Sequence, residues 1–282
     1  ISDTAGNVEI NNDTTITGKD GAGITDTTGN VTQKSSTTTI SGTTFGIMKT
    51  GGSVSLTGQD KNTSTVTGKT GGIYKTGGDL YLKNETVTTG TDSTSGDAIN
   101  DVAGKVTLDG DTIYSNAGSG IVTDEGTRTT ANTNTVSLKD TQVTGKDGDG
   151  VNAKYRTDVV LNGVTVTAKD NGVIAGDPNG TAGNLHITTT SADNTMTVGN
   201  SGIVAYNDKV VLDGNTNLVI KMNNDGTDQD VHKDAAIKMM DGSTLDNPTA
   251  GADITIGAAD SASGLIAKGT GSSITFTTQP AN

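Results

Sequence analysis

Three short units recur along this chain in a fixed order, and no other feature of the sequence constrains its fold so strongly. The first reads Val-x-Leu-x-Gly, as in Val54-Ser55-Leu56-Thr57-Gly58 and Val106-Thr107-Leu108-Asp109-Gly110. The second is Thr-Ile-Thr-Gly or a near copy: Thr15-Ile16-Thr17-Gly18, Thr39-Ile40-Ser41-Gly42, Thr65-Val66-Thr67-Gly68. The third sets Gly or Ala before an aliphatic residue, as in Gly46-Ile47, Gly72-Ile73, Ala98-Ile99 and Gly120-Ile121. One cycle takes about 22–30 residues, the spacing of a stacked repeat. Inside each unit apolar and polar residues alternate with a period of two, the pattern of a half-buried strand. Turn chemistry such as Asp20-Gly21, Gly51-Gly52 and Gly77-Gly78 lies between the units.

The prediction is an all-β, right-handed parallel β-helix of about ten coils, each of three short strands. Right-handed winding is expected because the turns are irregular and hexapeptide regularity is missing. An antiparallel sandwich would need hairpins, which a fixed three-step order does not serve. Like strands stacked about 4.8 Å apart would give a rod on the order of 45–50 Å long.

Composition agrees with that fold and excludes others. Hydrophobic residues make up 30% of the 282 positions and aromatics 2%, with 40 glycines and no cysteine. Globular domains ordinarily carry about 45–50% apolar residues, so a core built on helix faces is excluded. A coil needs only a few inward residues. The core is therefore expected to be a thin column of aliphatic side chains, with Thr, Ser, Asn, Asp and Lys outside. Threonine is β-branched yet polar, and threonine ladders hydrogen-bond along a stack. Low hydrophobicity with a net charge of −13 would ordinarily read as disorder. The short alternating runs of β-branched residues argue for strands instead.

The same charge disfavours a nucleic-acid partner. No window approaches 18 apolar residues, so no helical membrane span is expected. Absent cysteine excludes a disulfide framework and a thiolate metal site. Residues 1–282 read as one β-helix, a fragment of a longer rod, with insertions near 123–135 and 222–234. After Leu245 the cycle is hard to phase, although Ile254/Ile256, Leu265 and Ile274/Phe276 still read as strands.

Glycoside hydrolysis needs two carboxylates across a groove, and lyase chemistry needs a base. The arginines and histidines are Arg128, Arg156, His186 and His232, in separate repeats without shared spacing. His186 takes an outward position in Leu185-His186-Ile187. Phosphate-binding loops and nucleophile elbows are missing. No catalytic residue is assigned, and the chain is not expected to be an enzyme. Calcium is the one cofactor the residues suggest, at Asp225, Asp228 and Asp230 of the acidic insertion and more weakly at Asp147-Gly148-Asp149-Gly150. Turn-forming Asp-Gly pairs on an acidic surface give the same pattern.

For recognition, alternation turns the residue after each inward Ile outward, so Met48 and Tyr74 should stack on successive coils. A widened coil would turn both inward instead. Tyr81, Tyr114 and Tyr155 join them as candidate ligand-binding residues, since tyrosine combines a flat apolar face with a hydroxyl.

The units Thr39-Ile40-Ser41-Gly42 and Gly72-Ile73-Tyr74-Lys75-Thr76-Gly77-Gly78, in an acidic and cysteine-free chain, resemble the passenger regions of bacterial autotransporters, the adhesin type in particular. The resemblance implies export across two membranes and display on the bacterial cell surface, or secretion. It also implies adhesion to a host matrix protein or glycan, or self-association in cell aggregation and biofilm formation, as in virulence. The segment itself would not insert into a membrane. The protease-type Gly-Asp-Ser-Gly is missing, as is Arg-Gly-Asp. Two further readings stay open: a polysaccharide-active enzyme or glycan-binding rod of tailspike type, and a passive stalk.

Overall fold

The structure, a computed structural model, describes residues 1–123, 135–154, 158–176, 183–188, 193–213, 217–222, 235–247, 253–257, 263–268 and 273–276, with side chains up to Leu245 except those of Ser35, Asp213 and Asn217. It is a parallel β-helix. Strands of the Val-x-Leu unit stack into an eleven-stranded sheet, which we call the leucine sheet. Strands of the third unit form another eleven-stranded sheet, the glycine sheet, and those of the second a ten-stranded threonine sheet. One coil is Val54–Gly58, Ser64–Gly68 and Gly71–Lys75, one strand for each sheet in turn. The strand count therefore exceeds the expected ten coils slightly.

Register follows the sequence repeat. Ile73 aligns with Ile47 on one side and Ile99 on the other, and Leu82 lies between Leu56 and Leu108. The hard-to-phase end continues the same stack: Asp253–Gly257, Ser263–Lys268 and Ser273–Phe276 each pair in parallel with the preceding coil. Both insertions fall between strands and leave register intact. Val136 still aligns with Val106, and Ile237 with Ile203. The insertions lie almost wholly outside the described residues.

Glycine has two structural duties here. In the third unit it makes the corner between the threonine and glycine sheets tight: a Cβ on Gly72 would lie 2.3 Å from Val87 Cγ1 and 2.8 Å from the Ala98 carbonyl oxygen. In the Gly-Gly turn after that unit, Gly78 adopts φ +71°, and a Cβ there would meet the Gly52 carbonyl oxygen at 1.9 Å.

The core runs the length of the rod as a column of Val, Ile and Leu, with Val54, Leu56, Val66 and Ile73 buried in a single coil. It is not purely aliphatic, as the repeats led us to expect. Asp26, Lys49, Lys75 and Asp101 are fully buried, each two residues after an inward Ile. Alternation turns that position inward whatever residue occupies it.

Candidate interaction surface

Part of the chain's charge is buried inside the rod. Asp26, Lys49, Lys75 and Asp101 stand in one column of the glycine sheet, neighbours in register, so that two lysines lie between two aspartates. Lys49 Nζ pairs with Asp26 Oδ2 at 3.1 Å, and Lys75 Nζ with Asp101 Oδ1 at 2.9 Å. Lys75 also donates to the carbonyls of Gly77, Gly78 and Ala103. Burial of these charges is tolerated because each ion has an opposite partner.

A second buried group sits where the leucine sheet turns into the threonine sheet. Gln33 stands where the Val-x-Leu unit has Leu, and its amide donates to Glu85 Oε1 at 3.0 Å and to Ser64 Oγ at 3.2 Å. Burial raises the Glu85 carboxyl to about 8, helped by the Asp111 charge and opposed by the Gln33 hydrogen bond. Asp111 is pushed up to about 7, again by burial, against the amides of Glu85 and Asp109 that bond it. The two carboxyls have raised pKa values of the kind a general acid uses. Both side chains are fully buried, so neither can touch a substrate.

The Asp111 carboxyl and the Glu85 amide belong to a repeating device. At this corner the amide of one coil donates to the side chain of the next: Thr38 to Ser64 Oγ, Glu85 to Asp111 Oδ1, Asp111 to Thr141 Oγ1, Val164 to Asn194 Oδ1. The other two corners carry ladders of the opposite sense. Ser53 N–H donates to Asn30 Oδ1 and Lys105 N–H to Asp79 Oδ1 at one; Ser119 N–H donates to Asp97 Oδ1 and Asn171 N–H to Asp149 Oδ1 at the other. Turn amides that no strand pairs are satisfied this way.

The calcium candidates fare differently. Asp225, Asp228 and Asp230 lie outside the described residues. Asp149 is a ladder residue that accepts from both nitrogens of Asn171 and from Asn152, while exposed Asp147 lies 3.9 Å from Lys169. Among the described residues no three His, Cys, Asp or Glu side chains gather to hold a metal.

The recognition candidates divide among three faces. Met48 and Tyr74 are neighbours in register on the glycine sheet and half-buried, facing outward as alternation required. Phe45 joins them unforeseen: its ring lies over Gly71, where a Cβ would sit 3.0 Å from Cε1, and tilts on Tyr74 at 5.3 Å between centroids. Tyr81 projects from the leucine sheet between Ser55 and Thr107 and is 37% exposed. Tyr114 stands on the threonine sheet between Thr88 and Thr144. Tyr155 lies outside the described residues. His186 faces outward between Val160 and Val211, as expected. The four described tyrosines, Tyr206 on the glycine sheet among them, thus do not build one aromatic face.

The buried polar residues were missed because polar was read as outward. Their signal was in the sequence: alternation from each Ile puts Asp26, Lys49, Lys75 and Asp101 on the inner side.

The class defined by this geometry is an all-β parallel solenoid with stacked outer faces. No known family model matches the chain, and no curated protein matches it. Among solved structures it is similar to the Agl-KA catalytic domain, at 13% identity and a TM-score of 0.33. The match covers 98% of this chain and 62% of that one. A likeness at this level says nothing of activity.

Proposed function

We propose that this chain is the binding rod of a bacterial surface adhesin of autotransporter-passenger type, which attaches cells to a surface macromolecule or to one another without chemical turnover. The observation that carries the reading is the disposition of charge. The strongly perturbed carboxyls are sealed inside, Asp111 as a corner-ladder acceptor and Glu85 against the Gln33 amide, and the lysines Lys49 and Lys75 are sealed beside Asp26 and Asp101. What faces solvent is three long arrays of stacked side chains. Weak contacts summed along such an array, and multiplied by many copies on a cell, give avidity without a pocket.

The test is display of the chain on bacteria that lack their own adhesins, with attachment to immobilised matrix proteins and glycans counted beside cell clumping. Attachment or clumping above the empty display system supports the reading. Its absence on every surface, together with loss of nothing on deletion of these coils from the parent protein, marks a passive stalk. Salt separates modes of clumping. With a net charge of −13, like-to-like contact should strengthen as moderate salt screens repulsion. Clumping that weakens with salt instead indicates complementary charged patches or a cationic partner.

A further inference from the structure

The threonine sheet differs from the leucine sheet in one respect that its fold does not require. Over the eight strands from Thr14–Gly18 to Asn194–Val198 it presents two outward positions per strand. Every one is threonine except Ser41, Tyr114 and Gln142, and none carries a charge. The leucine sheet of the same coils, with the same alternation, presents Glu9, Lys34, Lys83, Asp109, Lys139 and Asp158. Strand propensity explains threonine on either face equally well, so it does not explain the exclusion of charge from one.

On a molecule of net charge −13, a neutral outward face is where an uncharged partner meets the least desolvation of ions. The face is also rich in hydroxyls held in register: Ser41 donates to Thr17 Oγ1, Thr195 to Thr165 Oγ1, and Thr86 and Thr112 both donate to Asn62 Oδ1. Each donating hydroxyl spends its hydrogen on the face itself and keeps oxygen lone pairs for a partner, while the accepting Thr17 and Thr165 keep their own O–H. Near the middle stands one aromatic ring, Tyr114, half-exposed, with Thr88 and Thr144 on either side along the rod and Thr112 beside it on the strand. An aromatic platform flanked by fixed hydroxyls matches the two surfaces of a sugar ring, apolar C–H groups on its face and hydroxyls at its rim.

We infer that the threonine sheet is a binding face for a neutral polysaccharide chain lying along the rod, with Tyr114 stacking on one sugar ring and the threonine columns hydrogen-bonding its neighbours. The inference rests on the adhesion reading above and gives it a ligand class. Acidic glycans are disfavoured by the net charge, and over these eight strands no outward side chain offers a carboxylate or sulfate a cation, the first being Lys221 on the next strand.

The experiment is affinity electrophoresis and calorimetry of the whole chain with neutral probes (β-glucan, xylan and galactomannan) beside heparin as the acidic probe. Retention by at least one neutral polymer is expected. Tyr114→Ala should weaken it about tenfold, the upper range for an aromatic contact. Tyr114→Phe should keep it within about twofold, since the stacking face is preserved. Thr107→Ala, at an outward position of the leucine sheet, should change nothing. Melting temperatures of all variants report folding independently. No retention by any neutral polymer overturns the inference, as does retention that Tyr114→Ala leaves unchanged at an unchanged melting temperature. Binding to heparin alone also overturns it, while attachment of displaying cells remains as the separate measure of the adhesion reading.

Discussion

One inward column of the glycine sheet is built in two ways along the same rod. In its early coils it holds Asp26, Lys49, Lys75 and Asp101; past Thr123 it holds Ala153, Ala175, Ala205 and Met239. Backbone register is the same in both halves, and all of these side chains are buried. Coil formation therefore does not depend on what fills the column, provided the filling is either apolar or internally neutralised. An apolar stack is tolerant of slippage by a coil, because Ala on Ala looks alike at every step. A sequence Asp-Lys-Lys-Asp has one neutral arrangement, so we predict that it fixes register where the apolar stretch does not.

The largest effect should come from breaking the charged half. Lys75→Met leaves Asp101 buried without its cation and three carbonyls without their donor. Loss of about 3–5 kcal/mol in a urea melt is expected. A cost under about 1 kcal/mol would show that the ion pair is not sealed from water.

The pH response should come next. Glu85 titrates near 8 in the rod against an ordinary 4.5, and Asp111 and Asp208 near 7 against 3.8, with burial the leading cause for each. A folded pKa above the unfolded value means the folded state holds the extra proton. The stabilisation is complete below the ordinary carboxylate range and is lost as pH rises toward 7–8. Urea midpoints should fall from pH 5 to pH 8, each group contributing up to about 1.4 kcal/mol per pH unit in its own window. Glu85→Gln should remove its share of that slope, most plainly between pH 7 and 8, above the Asp111 and Asp208 values. An unchanged slope would locate the titration elsewhere.

The smallest effect should come from making one half resemble the other. Asp26→Leu with Lys49→Met replaces a buried pair by apolar groups, and stability should stay within about 1 kcal/mol or rise. Lys49→Met alone should cost about 3–5 kcal/mol. If the double variant loses the sum of what Lys49→Met and Asp26→Leu lose singly, the pair is not coupled and the comparison between halves fails.

The repeat made the fold legible because each unit's inward residue is the same kind in every coil. Ile47, Ile73 and Ile99 carry their register in the sequence itself, and even the weak pattern at Ile254 and Ile274 marks true strands. The interior chemistry was not legible in the same way. Lys as a type reads as outward, and Lys49 and Lys75 are accommodated inside only by Asp26 and Asp101, which lie a whole coil away in sequence. Gln33 showed only as a missing Leu. The outward column of Met48 and Tyr74 followed from alternation, whereas Phe45 escaped because its ring packs on a bare Gly71 of the next coil.

The most direct trial of the account is to incubate the chain with neutral and acidic polysaccharides and follow reducing ends and unsaturated products over time. A rod whose perturbed carboxyls are all structural should give a flat trace at every protein concentration. Product that accumulates in proportion to protein would contradict it, and would place working acid–base chemistry on a surface to which the account assigns attachment alone.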